Sequence, residues 1–222
     1  MSQPLVSLQD RSLGWGGQMV LTGVSVSIHA GDRIALLGRS GAGKSTLLSA
    51  LQTEMDRAAL RVAHIPQDYG QVLELSAFHN VWMGRLDDFG TFSNLRTLIW
   101  PSASQRAEVR DVLNSVGLEA LDRKPVQDLS GGQRQRVALA RALLRGGSVV
   151  LGDEPVSAVD PAQGADLLDA LAQRFDTGIL ALHDVDHALR FATRIIGLKD
   201  GRIALDAAAT DVSRAAIMDL YA

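Results

Sequence analysis

The run GRSGAGKST, from Gly38 to Thr46, constrains this chain more than any other stretch. It has the spacing G-x-x-x-x-G-K-S/T, which cradles phosphate only where a strand runs into the loop and a helix leaves it. Both flanks fit. Arg33 to Leu37 reads as a buried strand, and Ser45 to Leu51 is apolar with helical character. Gly38, Gly41 and Gly43 let the backbone turn its N–H groups toward phosphate oxygens, and the helix adds its positive N-terminal end. Lys44 is placed to reach the β- and γ-phosphates, and the Ser45 hydroxyl to coordinate Mg²⁺. With Arg39, Ser40, Ala42 and Thr46, these residues make a complete nucleotide-binding loop.

Around the loop, apolar strands alternate with helices, the pattern of an α/β sheet. Val24, Val26 and Ile28 alternate with Ser25 and Ser27, as in a half-buried strand. Further strands are expected at Arg61–Ile65, Ser148–Leu151 and Gly178–Leu182. A hairpin is expected at Ile195–Leu198 and Arg202–Leu205, around Lys199-Asp200-Gly201. Helices are expected at Gln105–Val116, Ala162–Phe175 and Val185–Phe191, with one more in the last dozen residues. Ser130 reads as the N-cap of a helix running to about Leu144, with Gln133 closing a capping box. From Asp68 to Pro101 the pattern is less regular, with scattered aromatics. Phe78 and Trp82 fit a core or an interface equally, whereas Phe89, Phe92 and Trp100 lean toward an interface.

The 222 residues suffice for one core with at most a small subdomain. A net charge of −3 gives no reason to expect nucleic acid as a partner. No cysteine is present, which excludes disulfides and thiolate metal sites and fits a reducing compartment. The N-terminus has no basic region followed by an apolar run, so no signal peptide is expected. No stretch is long and apolar enough to cross a bilayer, so any membrane role must come through a partner.

Other residues extend the nucleotide reading. Val149 to Glu154 reads as an apolar strand ending in two carboxylates, Asp153 and Glu154. Asp153 is placed to hold Mg²⁺ through water, and Glu154 to polarise an attacking water. His183 follows the strand Gly178–Leu182, in the crevice where open α/β sheets bind ligands. It would either hydrogen-bond the γ-phosphate or hold Glu154. Gln67, after Arg61–Ile65 and Pro66, would sense Mg²⁺ or the attacking water. Trp15 would stack on adenine or fill the core. Ser130-Gly131-Gly132-Gln133 opens a second helix, which makes sense if it faces the γ-phosphate of a nucleotide held by a second copy of the chain. Two copies in two-fold symmetry would then form two composite ATP sites.

Taken together, these segments resemble the nucleotide-binding subunit of ABC transporters over nearly the whole chain. The resemblance implies a single nucleotide-binding domain over residues 1–222. Its core would be of the P-loop NTPase type, with a helical subdomain at about 68–145 and an antiparallel β subdomain. It implies an adenine platform at Trp15, a glutamine loop at Gln67, a signature at Leu129–Gln133, a Mg²⁺ carboxylate at Asp153 and a catalytic carboxylate at Glu154. It also implies an inter-subunit loop at Ser157–Asp160 and a switch histidine at His183. The expected partners are a second copy, an integral-membrane permease touching the region from Asp68 to about Trp100, and indirectly a solute-binding protein. The expected place is the cytoplasmic face of the inner membrane. Within the family the chain is most similar to importer ATPases for phosphonate and related oxyanions. The similarity lies at Val81–Leu86, Leu129–Leu144 and His183–Arg190. Importers of other solutes, exporters and non-transport ABC ATPases in assembly or repair remain alternatives.

Two departures stand out. Lys44 and Gln67 are only 23 residues apart, so the β subdomain should be shortened. Gly152 stands where the family has a bulkier apolar residue, which should weaken that strand slightly. The chain also ends soon after its last hairpin, so no C-terminal regulatory domain is expected.

Overall fold

A computed structural model describes residues 3–222. The chain opens with a two-stranded antiparallel hairpin, β1 (Val6–Trp15) and β2 (Gln18–Ile28). Its turn needs left-handed backbone at Gly16 and Gly17, with φ of 56° and 85°, a conformation glycine adopts without penalty. Val6, Leu8, Val24, Val26 and Ile28 turn inward and are buried.

The main sheet holds β3 (Arg33–Leu37), β4 (Val62–Ile65), β5 (Val149–Asp153), β6 (Thr177–Ala181), β7 (Arg194–Lys199) and β8 (Arg202–Ala208). Their order is β4-β5-β6-β3-β7-β8, parallel throughout except for the antiparallel pair β7–β8. β5 and β6 are buried along their whole length, which explains their unbroken apolar runs. On one face, α1 (Lys44–Arg57) sets Leu47, Leu48, Leu51 and Met55 against Ile34, Leu36 and the hairpin. On the other face, a second core gathers residues of six later helices. They are α2 (Ala77–Trp82), α4 (Ala103–Ser115), α5 (Gly131–Arg145), α6 (Pro161–Arg174), α7 (Val185–Phe191) and α8 (Arg214–Met218).

Several expectations are refined. α1 runs past Leu51 to Arg57, and the chain enters β4 within a few residues. No strand lies between α1 and β4, so the antiparallel part outside the main sheet is β1 and β2 alone. Between Asp68 and Pro101 the chain is turn and loop as far as Leu75 and regular only from Ala77 onward. It forms α2, a 3₁₀ turn (Met83–Asp88) and α3 (Thr91–Ile99). These pieces are too short for a periodic signal. Phe78 and Trp82 belong to the core, with rings stacked 6.3 Å apart. Phe92 and Trp100 are 84% and 72% exposed, and Phe89 stacks on Trp82 with part of its ring in solvent.

The last dozen residues do not form one helix. They give a short α8 (Arg214–Met218) and a 3₁₀ turn (Asp219–Tyr221). The chain bends there because Leu220 buries itself over Gly197 of β7, where a Cβ would lie 2.5 Å from its side chain.

Gly152 does not merely weaken its strand. A Cβ there would lie 2.7 Å from Leu180 Cδ2 and 3.3 Å from Pro155 Cγ. The neighbouring strand and the following turn already fill the space a larger residue would need.

Candidate functional site

The loop after β3 owes its shape to three glycines with positive φ, Gly38 (144°), Gly41 (80°) and Gly43 (101°). Two of them are also sterically required. A Cβ on Gly38 would meet the Leu198 carbonyl oxygen at 2.5 Å, and one on Gly43 would meet Leu21 Cδ2 at 2.7 Å. The Lys44 ammonium folds back over the loop and donates to the carbonyls of Gly38 (2.8 Å) and Arg39 (3.1 Å). Burial lowers its pKa, while the carboxylates of Glu154 and Asp153 act in the opposite sense.

Lys44, Ser45, Thr46, Gln67, Asp153 and Glu154 line one cavity of about 230 Å³, together with Val20, Ser40, Gly41 and Gly43. Residues from four separate stretches of sequence therefore meet in one place. Asp153 ends β5. Glu154 follows it in a left-handed conformation, φ 54°, rare for a residue with a side chain and a form of strain found at functional sites. Its N–H still donates to the Ala181 carbonyl (3.0 Å), so the contact with β6 continues into the turn. The Glu154 carboxylate reaches His183 Nε2 at 2.5 Å. Of the two roles open to His183, the structure displays the contact with Glu154. Gln67 lies just beyond β4 and Pro66.

Trp15 stands at the end of β1, 60% exposed, and its indole N–H donates to Thr46 Oγ1 (3.0 Å). That bond uses the only donor of the ring and leaves its face to solvent. Arg39 and Ala42 line a second cavity behind the loop, beside Leu198–Gly201.

Ser130, Gly131, Gly132 and Gln133 do not line the Lys44 cavity. Ser130 caps α5 by accepting from the Gln133 N–H, while the Gln133 side chain accepts from the Ser130 N–H (3.0 Å). Gly132 is required by a close approach, since a Cβ would meet the Ala158 carbonyl oxygen at 2.7 Å. Asp160 caps α6, accepting from the Gln163 N–H at 3.0 Å, and lies outside the cavity as well.

One residue of interest escaped the sequence reading. Gln135 of α5 is fully buried and bonds the backbone of Glu154. The signal was present. Gln135, Ala138, Leu139 and Ala142 form one buried stripe at helical spacing. A glutamine on such a stripe must have internal partners.

Comparison with known proteins gives the family. The ABC transporter domain family matches residues 21–157. The chain is 32% identical to the phosphonates import ATP-binding protein PhnC of Caulobacter vibrioides, covering 99% of this chain and 94% of that protein. It is 38% identical to the pyoverdine export ATP-binding/permease protein PvdT of Pseudomonas aeruginosa, over 92% of this chain but 34% of that longer protein. Among solved structures it resembles a dimeric ATP-binding cassette in a post-hydrolysis state with ADP and Pi. The TM-score is 0.78 at 24% identity, covering 91% of this chain and 98% of that one.

Proposed function

Because this chain belongs to the ABC transporter family, we propose that it is the ATP-hydrolysing subunit of a solute importer, working through a separate membrane permease. The observation that carries this reading is that Glu154 lines the cavity of Lys44, Ser45 and Asp153 while its carboxylate contacts His183, which lines an adjacent cavity that Glu154 also borders. In this scheme the nucleotide phosphates sit over the N–H groups of Gly41 to Thr46 at the start of α1. Lys44 exchanges its carbonyl partners for phosphate oxygens, a better match for an ammonium group. Trp15 offers its free face to adenine. Glu154 takes the proton of the attacking water as general base, and His183 orients that carboxylate.

The Ser45 hydroxyl and the Asp153 carboxylate face the same cavity and fit Mg²⁺, a hard cation that prefers oxygen ligands. Among the described residues no cluster of three or more His, Asp or Glu could hold an ion by itself. Phosphate oxygens would therefore complete the shell. When bound, Mg²⁺ neutralises charge developing on the phosphates.

The domain is read as one unit over residues 1–222, with a helical part at about 68–145. Ser130–Gln133 lies off the Lys44 cavity and serves the nucleotide of a second copy, in a two-fold dimer closed by ATP. Asp160 lies on the same inter-subunit side. The exposed apolar residues Phe92, Leu95, Ile99 and Trp100 suit docking to a permease at the cytoplasmic face of the membrane. Among the described residues no helix is long and apolar enough to cross a membrane. The phosphonate-import relatives favour a phosphonate or related oxyanion delivered by a solute-binding protein. The pyoverdine relative supports export as the second reading. Neither scheme involves nucleic acid.

Glu154→Gln tests the scheme. It should bind ATP, stop turnover and accumulate as a dimer in size-exclusion chromatography with ATP. A monomeric elution with ATP bound would rule out the composite site.

A further inference from the structure

Gln135 connects two parts of the chain that the scheme above treats separately. It sits on α5, beyond the Ser130–Gln133 helix start, with no solvent exposure. Its Nε2 donates to the Glu154 carbonyl oxygen (2.9 Å) and to Ser157 Oγ (3.2 Å), and its Oε1 accepts from the Ala158 N–H (2.8 Å). Ser157 Oγ in turn donates to the same Glu154 carbonyl (3.1 Å). Three hydrogen bonds from this turn thus end on one amide.

The turn needs such support. Glu154 has φ 54°, a conformation that costs a side-chain-bearing residue about 1–3 kcal/mol and persists only where its surroundings hold it. The peptide carbonyl of Glu154 belongs to the strained unit, and Gln135 grips it directly. Close packing of Gly132 on the Ala158 carbonyl adds a second contact between the same two segments.

We propose that Gln135 is a positioning residue for Glu154, holding the backbone turn that aims the carboxylate at water. The proposal rests on the reading of Glu154 as general base. It makes α5 a rigid strut, with the Ser130 helix start at one end and the hydrolytic carboxylate of the same chain braced along its side. Gln135 itself has no exposed surface and does not line the Lys44 cavity.

The test compares Gln135→Met, which keeps volume and removes all three bonds, with Gln135→Glu, which keeps an acceptor for Ala158. Single-turnover hydrolysis and the Kd of a fluorescent ATP analogue are measured for each, alone and combined with Glu154→Gln. The chemical step should slow by at least about tenfold while Kd stays within about twofold, since a misaimed group loses rate before affinity. In the Glu154→Gln background neither substitution should slow the residual reaction further, because residues acting as one unit are not additive. Gln135→Glu also decides the matter should Gln135→Met not fold. Full single-turnover rate in the folded variants, or a further loss on top of Glu154→Gln, overturns the positioning role. If Glu154→Gln alone hydrolyses ATP at the wild-type rate, the general-base reading itself is at fault, a result distinct from failure at Gln135.

Discussion

Replacing Gly152 by alanine should destabilise the protein, although strand propensity argues for the opposite. Two terms compete. Alanine restricts the unfolded chain and suits a strand better, a gain of about 0.5–1 kcal/mol. Against it, the new Cβ would stand 2.7 Å from Leu180 Cδ2, where ordinary contact needs roughly 3.5–4.0 Å. Leu180 has no exposed surface, so its methyl must move about 1 Å into packed neighbours. Pro155 Cγ at 3.3 Å closes the other escape. Overfilling of this kind costs about 1–3 kcal/mol. The balance is a loss of about 1 kcal/mol, or roughly 2–4 °C in Tm for a chain of this size. Urea unfolding of Gly152→Ala, Leu180→Val and the pair measures it. The pair should be more stable than the sum of the two single losses predicts, because one methyl replaces another. A Gly152→Ala variant at or above wild-type stability would refute the steric account and return Gly152 to a mere weak point in β5.

Two further outcomes follow from the geometry. Ser130→Arg should leave ATP affinity of the monomer unchanged while abolishing ATP-driven dimerisation and steady-state hydrolysis, because Ser130 lies outside the Lys44 cavity; a normal hydrolysis rate would count against contact across a dimer. Asp88 joins Arg61 and Arg85, and hydrogen bonds from Arg61 first and Arg85 second hold its pKa well below the usual carboxylate range. With a folded pKa below the unfolded one, its stabilisation is full above about pH 4 and is lost as pH falls toward the folded value. Asp88→Asn should therefore flatten the decline of stability below about pH 4, seen in acid-dependent urea midpoints; an unchanged acid slope would show that the pair contributes nothing.

What could be read from the sequence was local. The phosphate loop, the capping box at Ser130 and the two carboxylates closing β5 are short patterns whose geometry follows from neighbours in the chain. Gln135 was opaque for the opposite reason. Its partners Glu154 to Ala158 meet it only because α5 packs beside the end of β5, a contact between distant segments. Gly152 misled in the same way, since the atoms filling its space come from β6 and the next turn. The sequence leaves Phe78 and Trp82 evenly between core and interface, although it already sets Phe92 and Trp100 toward an interface. α2 and α3 are too brief for a buried stripe to declare itself, and packing against α5 decides the matter.

The shortened stretch between Lys44 and Gln67 raised the question whether the adenine side of the site survives the loss. The hairpin supplies an answer in mechanical terms. β1 and β2 are paired along their length, with Trp15 opposite Gln18 at the closed end. Leu21 of β2 packs on Gly43 of the loop, and the Trp15 N–H is fixed to Thr46 in the first turn of α1. Both anchors belong to the phosphate loop and its helix, and neither uses residues between Arg57 and β4. Removing strands from that interval therefore leaves the indole tied to the same helix start that would hold the phosphates. Base and phosphate contacts would move as one body, and the trimmed segment is free to differ without disturbing either.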